Sequence, residues 1–255
     1  MELDLTRPNN GRMLDYWLGG NHNFEIDRQM ARQIEKLFPF VVTTSRESRA
    51  LVGRCVEFFH AQNLGTLVDF GSSLPTCQNT HEVAHALDPN IRVVYSDIDP
   101  ITVAYAQDLL RGNVNVLYLH ADATNPQDVL ENPLTKQLIG DERRVGIVFL
   151  NLPHVLSDEA VRASWRALYD WAAPGSYLAL SFSGEAWDTE PDLIATARSY
   201  RSANLPFYPR TPAQVLELVG GWRVTQDGFK PNASWGQSNP PPQERMLGYS
   251  AMFYK

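Results

Sequence analysis

Residues 67–76 read Leu-Val-Asp-Phe-Gly-Ser-Ser-Leu-Pro-Thr, and the fold is decided here. A short apolar run ends in Asp69 and breaks into Gly71-Ser72-Ser73. The pattern predicts a buried strand entering a tight turn, with a helix to follow. The turn is bare of large side chains, so a ligand can approach its backbone. About 28 residues later a second strand, Arg92-Val93-Val94-Tyr95-Ser96, ends in Asp97, the spacing of a βαβ unit with an acid at its second strand tip. A glycine turn followed by a carboxylate suited to a ribose diol is a minimal nucleoside-binding layout.

Strands and helices alternate from residue 65 onward. Thr66–Phe70 is the first strand, and a helix is expected over about residues 76–87. After the strand ending at Asp97, Asp99 and Pro100 supply the N-cap and first position of a helix through Leu110. Val114–His120 is a third strand, followed by Asp122-Ala123. Val145–Leu150 is a continuous apolar run typical of a central parallel strand. Ser157-Asp158-Glu159 opens a helix with Val161, Trp165, Leu168 and Ala172 on one face, stopped by Pro174-Gly175. Tyr177–Ser183 is a fifth strand. Thr211-Pro212-x-Gln214 starts a further helix that Gly220-Gly221 ends. Trp222–Thr225 and Tyr249–Tyr254 are the last strands, with a proline-rich loop around Asn239-Pro240-Pro241-Pro242 between them. The alternation predicts an α/β doubly wound sheet, whose ligands bind outside the carboxyl ends of the strands. Asp69, Asp97, Asp122 and Asn151 all fall at such ends.

Residues 1–44 form a separate N-terminal cap or lid segment, and residues 45–255 the main domain. Gly19-Gly20-Asn21-His22-Asn23 is a loop cluster. The helix after it presents Ile26, Met30, Ile34 and Leu37 on one face. Thr44 and Glu47 make a capping box for the next helix, which carries Val52, Cys55, Val56 and Phe59 at core spacing.

Composition excludes several function classes. The 255 residues are 44% hydrophobic and 20% charged, as in a globular chain able to fill a core. A formal charge of −7 without a Lys/Arg run disfavours nucleic acid as a partner. Two cysteines, Cys55 and Cys77, rule out a disulfide framework and a four-cysteine zinc site, and suit a reducing cytoplasm. The chain shows neither a signal peptide nor an apolar run of the ~18 residues that a membrane span needs. The expected location is cytoplasmic. Oligomeric state is not encoded legibly.

The glycine spacing discriminates among nucleoside cofactors. A dinucleotide fold requires G-x-G-x-x-G, but the turn reads Gly71-Ser72-Ser73-Leu74-Pro75-Thr76, which serves a pyrophosphate poorly and disfavours a nicotinamide oxidoreductase. No Gly-Lys-Ser/Thr follows, which excludes a P-loop. An uncharged nucleoside without a diphosphate fits better. At this level the chain resembles the class I S-adenosylmethionine-dependent methyltransferases. More narrowly, it is similar to a mostly actinobacterial family of S-adenosyl methyltransferases of unknown substrate. The resemblance is carried by Tyr16-Trp17-Leu18-Gly19-Gly20-Asn21-His22-Asn23-Phe24, Val68–Thr76, His81-Glu82-Val83-Ala84, Val94–Pro100 and Pro174-Gly175-Ser176-Tyr177-Leu178.

The resemblance implies a Rossmann-like sheet of seven strands, the last antiparallel and inserted beside the sixth. S-adenosyl-L-methionine would lie on the turn of Asp69, Phe70, Gly71 and Ser72. Asp97 and Ile98 would meet the ribose side, with Asp122 and Ala123 at adenine and Asn151 near the sulfonium. Tyr16, Gly20 and Asn23 would cover the cofactor. The family pattern has glycine where this chain has Ser73, so either the turn adapts or cofactor affinity falls.

His81-Glu82-Val83-Ala84-His85 is a literal H-E-x-x-H, a zinc pattern when helical. It sits where a βαβ crossover helix is required and lacks a suitably spaced third ligand, so no metal is expected. Asn151-Leu152-Pro153-His154 loosely matches a motif of amino-methylating enzymes, with Leu152 replacing a proline. His154 is the candidate general base. The tryptophans are mostly core, although some could line an acceptor pocket. The expected function is methyl transfer to an unidentified small-molecule acceptor. The alternative is a non-catalytic protein that holds S-adenosylmethionine or S-adenosylhomocysteine.

Overall fold

The computed structural model describes residues 6–75, 78–240 and 245–255. Its strands are β1 (Thr66–Phe70), β2 (Arg92–Asp97), β3 (Val116–His120), β4 (Gly146–Leu150), β5 (Tyr177–Ser183), β6 (Arg223–Val224), β7 (Lys230–Pro231) and β8 (Gly248–Tyr254). The main sheet runs β3-β2-β1-β4-β5-β8-β6. β1 to β5 pair in parallel, and β8 lies antiparallel between β5 and β6. This is the expected seven-stranded order. The two-residue β7 adds a short antiparallel pairing to β8. β1 and β4 are buried along their whole length, which explains their unbroken apolar runs.

Helices cover both faces. On one side α3 (Val41–Ala61), α4 (Thr80–Leu87) and α5 (Pro100–Leu109) bury Val56, Phe59, Ala84 and Ala106 against the sheet. On the other, α7 (Pro133–Ile139), α8 (Asp158–Trp171) and α11 (Pro212–Leu218) bury Ile139, Trp165, Leu168 and Val215. The short α6 (Gln127–Leu130) precedes α7. Local chemistry places these ends as expected. The Asp99 side chain accepts from the Thr102 N–H with Pro100 at the first helical position, and Thr211 and Gln214 form a reciprocal capping box. No helix among the described residues is long and apolar enough to cross a membrane.

A third apolar cluster lies over the carboxyl edge of the sheet. It joins α1 (Asn10–Trp17) and α2 (Glu25–Leu37) to α9 (Ala186–Thr189) and α10 (Pro191–Ser202) through Met13, Trp17, Ile34, Phe38, Trp187 and Phe207. The cap is therefore built from two separated parts of the chain. Its second part, between β5 and α11, is not signalled by a strong apolar period. Glu190-Pro191-Asp192, with proline at the first helical position, was its readable start.

Several local expectations are corrected. Thr44 and Glu47 do not cap a helix, because α3 begins at Val41. The Thr44 hydroxyl instead donates to the Val41 carbonyl, a bond within the first turn. The helix after the glycine turn starts at Thr80, capped by Asn79 and Glu82. Positions 76 and 77, where its start was expected, lie outside the described residues, as does part of the proline-rich loop. β3 starts at Val116 because residues 113–115 turn, leaving Val114 exposed.

One buried arginine joins cap to sheet. Arg12, on α1, is 2% exposed. Its Nε donates to Asp27 on α2 at 2.8 Å and its Nη1 to Asp99 at the β2–α5 junction at 3.0 Å. Asp27 also accepts from the backbone of Asn9 and Phe24. Removing one partner of such a buried cluster leaves an uncompensated charge. Arg12→Ala should therefore cost about 3 kcal/mol in urea unfolding. A loss below about 1 kcal/mol would show that the cap docks by apolar contact alone.

Candidate active site

Asp97 ends β2 with both carboxylate oxygens engaged. Oδ2 accepts from the Ser73 N–H at 3.0 Å and Oδ1 from the Asp99 N–H at 2.9 Å. Burial pushes its carboxyl up to about 6, and the two backbone donors pull the other way. Gly71 enters the turn at φ +61, and a Cβ there would meet Leu152 at 2.5 Å, so both conformation and space demand glycine. Ser73 takes φ +59. Its hydroxyl donates to the Gly11 carbonyl at 3.1 Å, and its own carbonyl accepts from the buried Tyr118 hydroxyl at 2.8 Å. The turn has adapted to serine, and the extra side chain ties it to α1 instead of entering the cavity floor.

Asn151, following β4, is also left-handed at φ +58. Ser181 Oγ holds it by accepting from its N–H at 2.9 Å and donating to its Oδ1 at 3.2 Å. Asp122 follows β3 and accepts from the Thr124 N–H at 2.8 Å. His154 sits in the 3₁₀ turn Pro153–Val155, with its ring 5.2 Å from Phe207. Its Nδ1 is buried without a partner, and burial with the nearby Arg210 charge pushes the imidazole down to about 4. It is uncharged at neutral pH.

These groups border one cavity of about 520 Å³. Gly71, Ser73, Asp97, Ile98, Asp122, Ala123 and Asn151 line one part. Trp17, Phe38, Leu152, His154, Trp187, Tyr200 and Phe207 line another, beneath the cap. The Trp187 and Phe207 rings are 4.8 Å apart, and Tyr200 stacks on Phe207 at 5.5 Å. The charged side chains of the lining are Glu47, Asp97 and Asp122, and no Lys or Arg among the described residues joins them.

Six expected site residues lie outside this lining. Asp69 sits behind it, buried, accepting from the Thr80 hydroxyl at 2.5 Å. Burial drives its carboxyl to about 7. Phe70 is core, packed on Phe149 at 5.9 Å. The Ser72 hydroxyl donates to the Ser96 carbonyl at 3.1 Å and so closes the turn. Asn23 donates to Asp15 Oδ2 at 2.8 Å, and a Cβ on Gly20 would lie 2.0 Å from Asp15 Oδ1. These two residues fold the α1–α2 loop around Asp15 and leave the cavity to Asn10, Gly11, Leu14 and Trp17. Tyr16 packs against the cap cluster. The sequence reading took Glu47 for a helix cap and missed Tyr200 and Phe207, whose helix and loop carry no motif.

The H-E-x-x-H residues are each otherwise engaged. Glu82 closes the capping box with Asn79, His81 Nδ1 pairs with the Tyr95 hydroxyl at 2.9 Å, and His85 Nε2 with the Ile91 carbonyl at 2.9 Å. No group of three or more His, Cys, Asp or Glu among the described residues is arranged to hold a metal ion.

Serine at φ +59 carries a left-handed cost of roughly 1 kcal/mol, and its bond to Gly11 returns a similar amount. Ser73→Ala keeps the cost and loses the bond, so it should destabilise by about 1 kcal/mol in urea unfolding. Ser73→Gly loses both and should be close to neutral. A neutral Ser73→Ala together with a stabilising Ser73→Gly would show that the Gly11 bond contributes nothing.

Comparison with known proteins places this geometry. Among curated proteins, none matches the sequence. A methyltransferase candidate from Thermobifida fusca YX is 32% identical, with a TM-score of 0.91 over 99% of this chain and 96% of that one. A duf574 family protein from Streptomyces avermitilis MA-4680 is 26% identical, with a TM-score of 0.89 over 100% of both chains. Human N-acetylserotonin methyltransferase, solved in complex with SAM, shares the fold at 15% identity, with a TM-score of 0.53 over 98% of this chain and 63% of that one. The model of the S-adenosyl methyltransferase family spans residues 1–253, and the chain belongs to that family: it is an S-adenosylmethionine-dependent methyltransferase acting on a small-molecule acceptor.

Proposed function

We propose that S-adenosyl-L-methionine binds along the carboxyl edge of the sheet, with the ribose hydroxyls on Asp97, and that the acceptor enters beneath the cap. The observation that carries this reading is the state of Asp97. Each of its oxygens accepts one backbone N–H, which leaves lone pairs for a pair of hydroxyl donors. Ile98, beside it in the lining, is 61% exposed, so an apolar surface is free for a flat base. Asp122 and Ala123 border that same end. The Gly71–Ser73 turn and Asn151 flank the middle of the cavity, where the methyl-bearing part would lie. Asp69, Phe70 and Ser72 support the turn from behind. Asp15, bonded to Gly20 and Asn23, fixes the α1–α2 loop of the N-terminal lid segment that includes Tyr16.

When bound, the cofactor supplies a methyl group already activated for in-line displacement. The chain's own residues align the two reactants and keep out water. The aromatic walls suit an acceptor with apolar faces. His154 follows Asn151 by three residues and lines the same cavity. A hydroxyl acceptor that still bears its proton becomes a strongly acidic oxonium once its oxygen gains a methyl group, whereas an amine becomes only a weakly acidic ammonium. An uncharged imidazole, even a weakly basic one, can then receive the oxonium proton.

The first test is thermal stability with S-adenosylhomocysteine or NAD, in wild type and Asp97→Ala. At ~100 times its dissociation constant, S-adenosylhomocysteine should stabilise wild type by roughly 2.7 kcal/mol. Asp97→Ala should abolish most of that gain, and NAD should give none. Stabilisation that survives in Asp97→Ala would remove the ribose assignment.

His154 can be checked without an acceptor. The imidazole C2–H resonance missing from the proton NMR spectrum of His154→Gln should not shift between about pH 5.5 and 8 in wild type, because the ring stays uncharged there. A midpoint near 6.5, the ordinary histidine value, would contradict the neutral-base assignment.

A further inference from the structure

Glu47 is the charged cavity residue that the reading above leaves unused. It is half-buried on α3 and lines the cavity, yet its carboxylate accepts no hydrogen bond from any described residue. Arg54 attracts it electrostatically, but the Arg54 guanidinium is committed elsewhere, donating to the Trp235 carbonyl at 2.6 Å and the Asn232 carbonyl at 2.8 Å. Burial holds the Glu47 carboxyl above its usual range in spite of that charge. A desolvated carboxylate on a cavity wall gains most from a cationic hydrogen-bond donor.

The other cavity acids differ from Glu47. Asp97 and Asp122 follow β2 and β3, and both accept backbone N–H groups. Asp69, an acid of the turn on which the cofactor was expected to lie, is outside the lining and bonded to Thr80. Glu47 belongs to a helix that packs against α4, the helix that follows the glycine turn. Two residues along α3, Arg49 donates to Asn79 Oδ1 at 3.0 Å, and Asn79 caps the helix leaving that turn. Thr44 and Ser48 of α3 line the cavity beside Glu47 and bring hydroxyls to the same wall.

We propose that Glu47 receives a primary ammonium group in this cavity, and that the group is the amino-acid end of the cofactor. The proposal rests on the cofactor reading above. An amine-bearing acceptor would present the same chemistry, so the experiment separates the two sources.

Calorimetric titration would compare S-adenosylhomocysteine with 5′-methylthioadenosine, which lacks the amino-acid end, in wild type and Glu47→Gln. Glu47→Gln should weaken S-adenosylhomocysteine about tenfold or more and leave 5′-methylthioadenosine unchanged. The ligand-free melting temperature should not move, since no hydrogen bond is lost. A second arm adds 2-(2-naphthyl)ethylamine or 2-(2-naphthyl)ethanol to the protein saturated with S-adenosylhomocysteine. If Glu47→Gln spares both nucleosides but abolishes binding of the amine and not the alcohol, the ammonium belongs to the acceptor and the cofactor assignment is overturned. If no ligand responds to the substitution, the whole proposal is overturned. Failure of both nucleosides to bind wild type would instead remove the cofactor reading and, with it, the assignment of the ammonium to the cofactor; the amine and the alcohol, titrated into the ligand-free protein, would then show whether Glu47 holds an ammonium at all.

Discussion

The Asp97 carboxylate, bridging two backbone N–H groups, is the constraint from which the site is assembled. One donor belongs to the turn after β1 and the other to the start of the β2–α5 junction. The same two residues carry the cap, because Ser73 reaches the Gly11 carbonyl and the Asp99 side chain receives Arg12. Gly11 and Arg12 are adjacent on α1, so a single helical turn touches both sides of Asp97. Moving the cap away requires breaking a buried charge cluster and a turn bond together. The lid and the floor of the site behave as one unit around this acid.

That unit stores local strain. Ser73 and Asn151 are non-glycine residues in left-handed conformations, following the adjacent strands β1 and β4 and lining the same cavity. Each costs roughly 1 kcal/mol or more and persists because nearby groups over-determine it. Ser73 is held through its N–H, hydroxyl and carbonyl, and Asn151 through a reciprocal pair with the fully buried Ser181. The benefit is pre-organisation. Two turns that would otherwise adjust around ligands are fixed before either reactant arrives.

The sheet was legible because its signals are local. Apolar runs, acids at strand ends and capping residues lie within a few positions of one another, and β1, β2, β4, β5 and β8 follow them to within a residue or two. The turn and the strand-end positions of Asp97, Asp122 and Asn151 were legible for the same reason. The cap was half legible. Residues 186–207 join it only through burial against Phe38 and Ile34, a contact that no short window displays. Gly20 and Asn23 showed a pattern whose purpose was misread. Their partner Asp15 lies on the preceding helix, so the motif builds a loop and not a ligand contact. Asp69 was misread similarly, since its commitment to Thr80 spans a turn that sequence alone leaves open.

The electrostatics of the cavity follow from what is missing as much as from what is present. Arginines surround it but are turned to structural work: Arg12 to Asp27 and Asp99, Arg49 to Asn79, Arg210 to Asp158 and the carbonyl of Leu156. Among the described residues the lining keeps only carboxylates as full charges. In a half-desolvated space such a set favours a cationic ligand over a neutral one and disfavours anions. A sulfonium donor is cationic, and its demethylated product is not. The acids at the cavity therefore bias binding toward a charged ligand, while the aromatic wall under the cap is poor in charge and suits apolar faces.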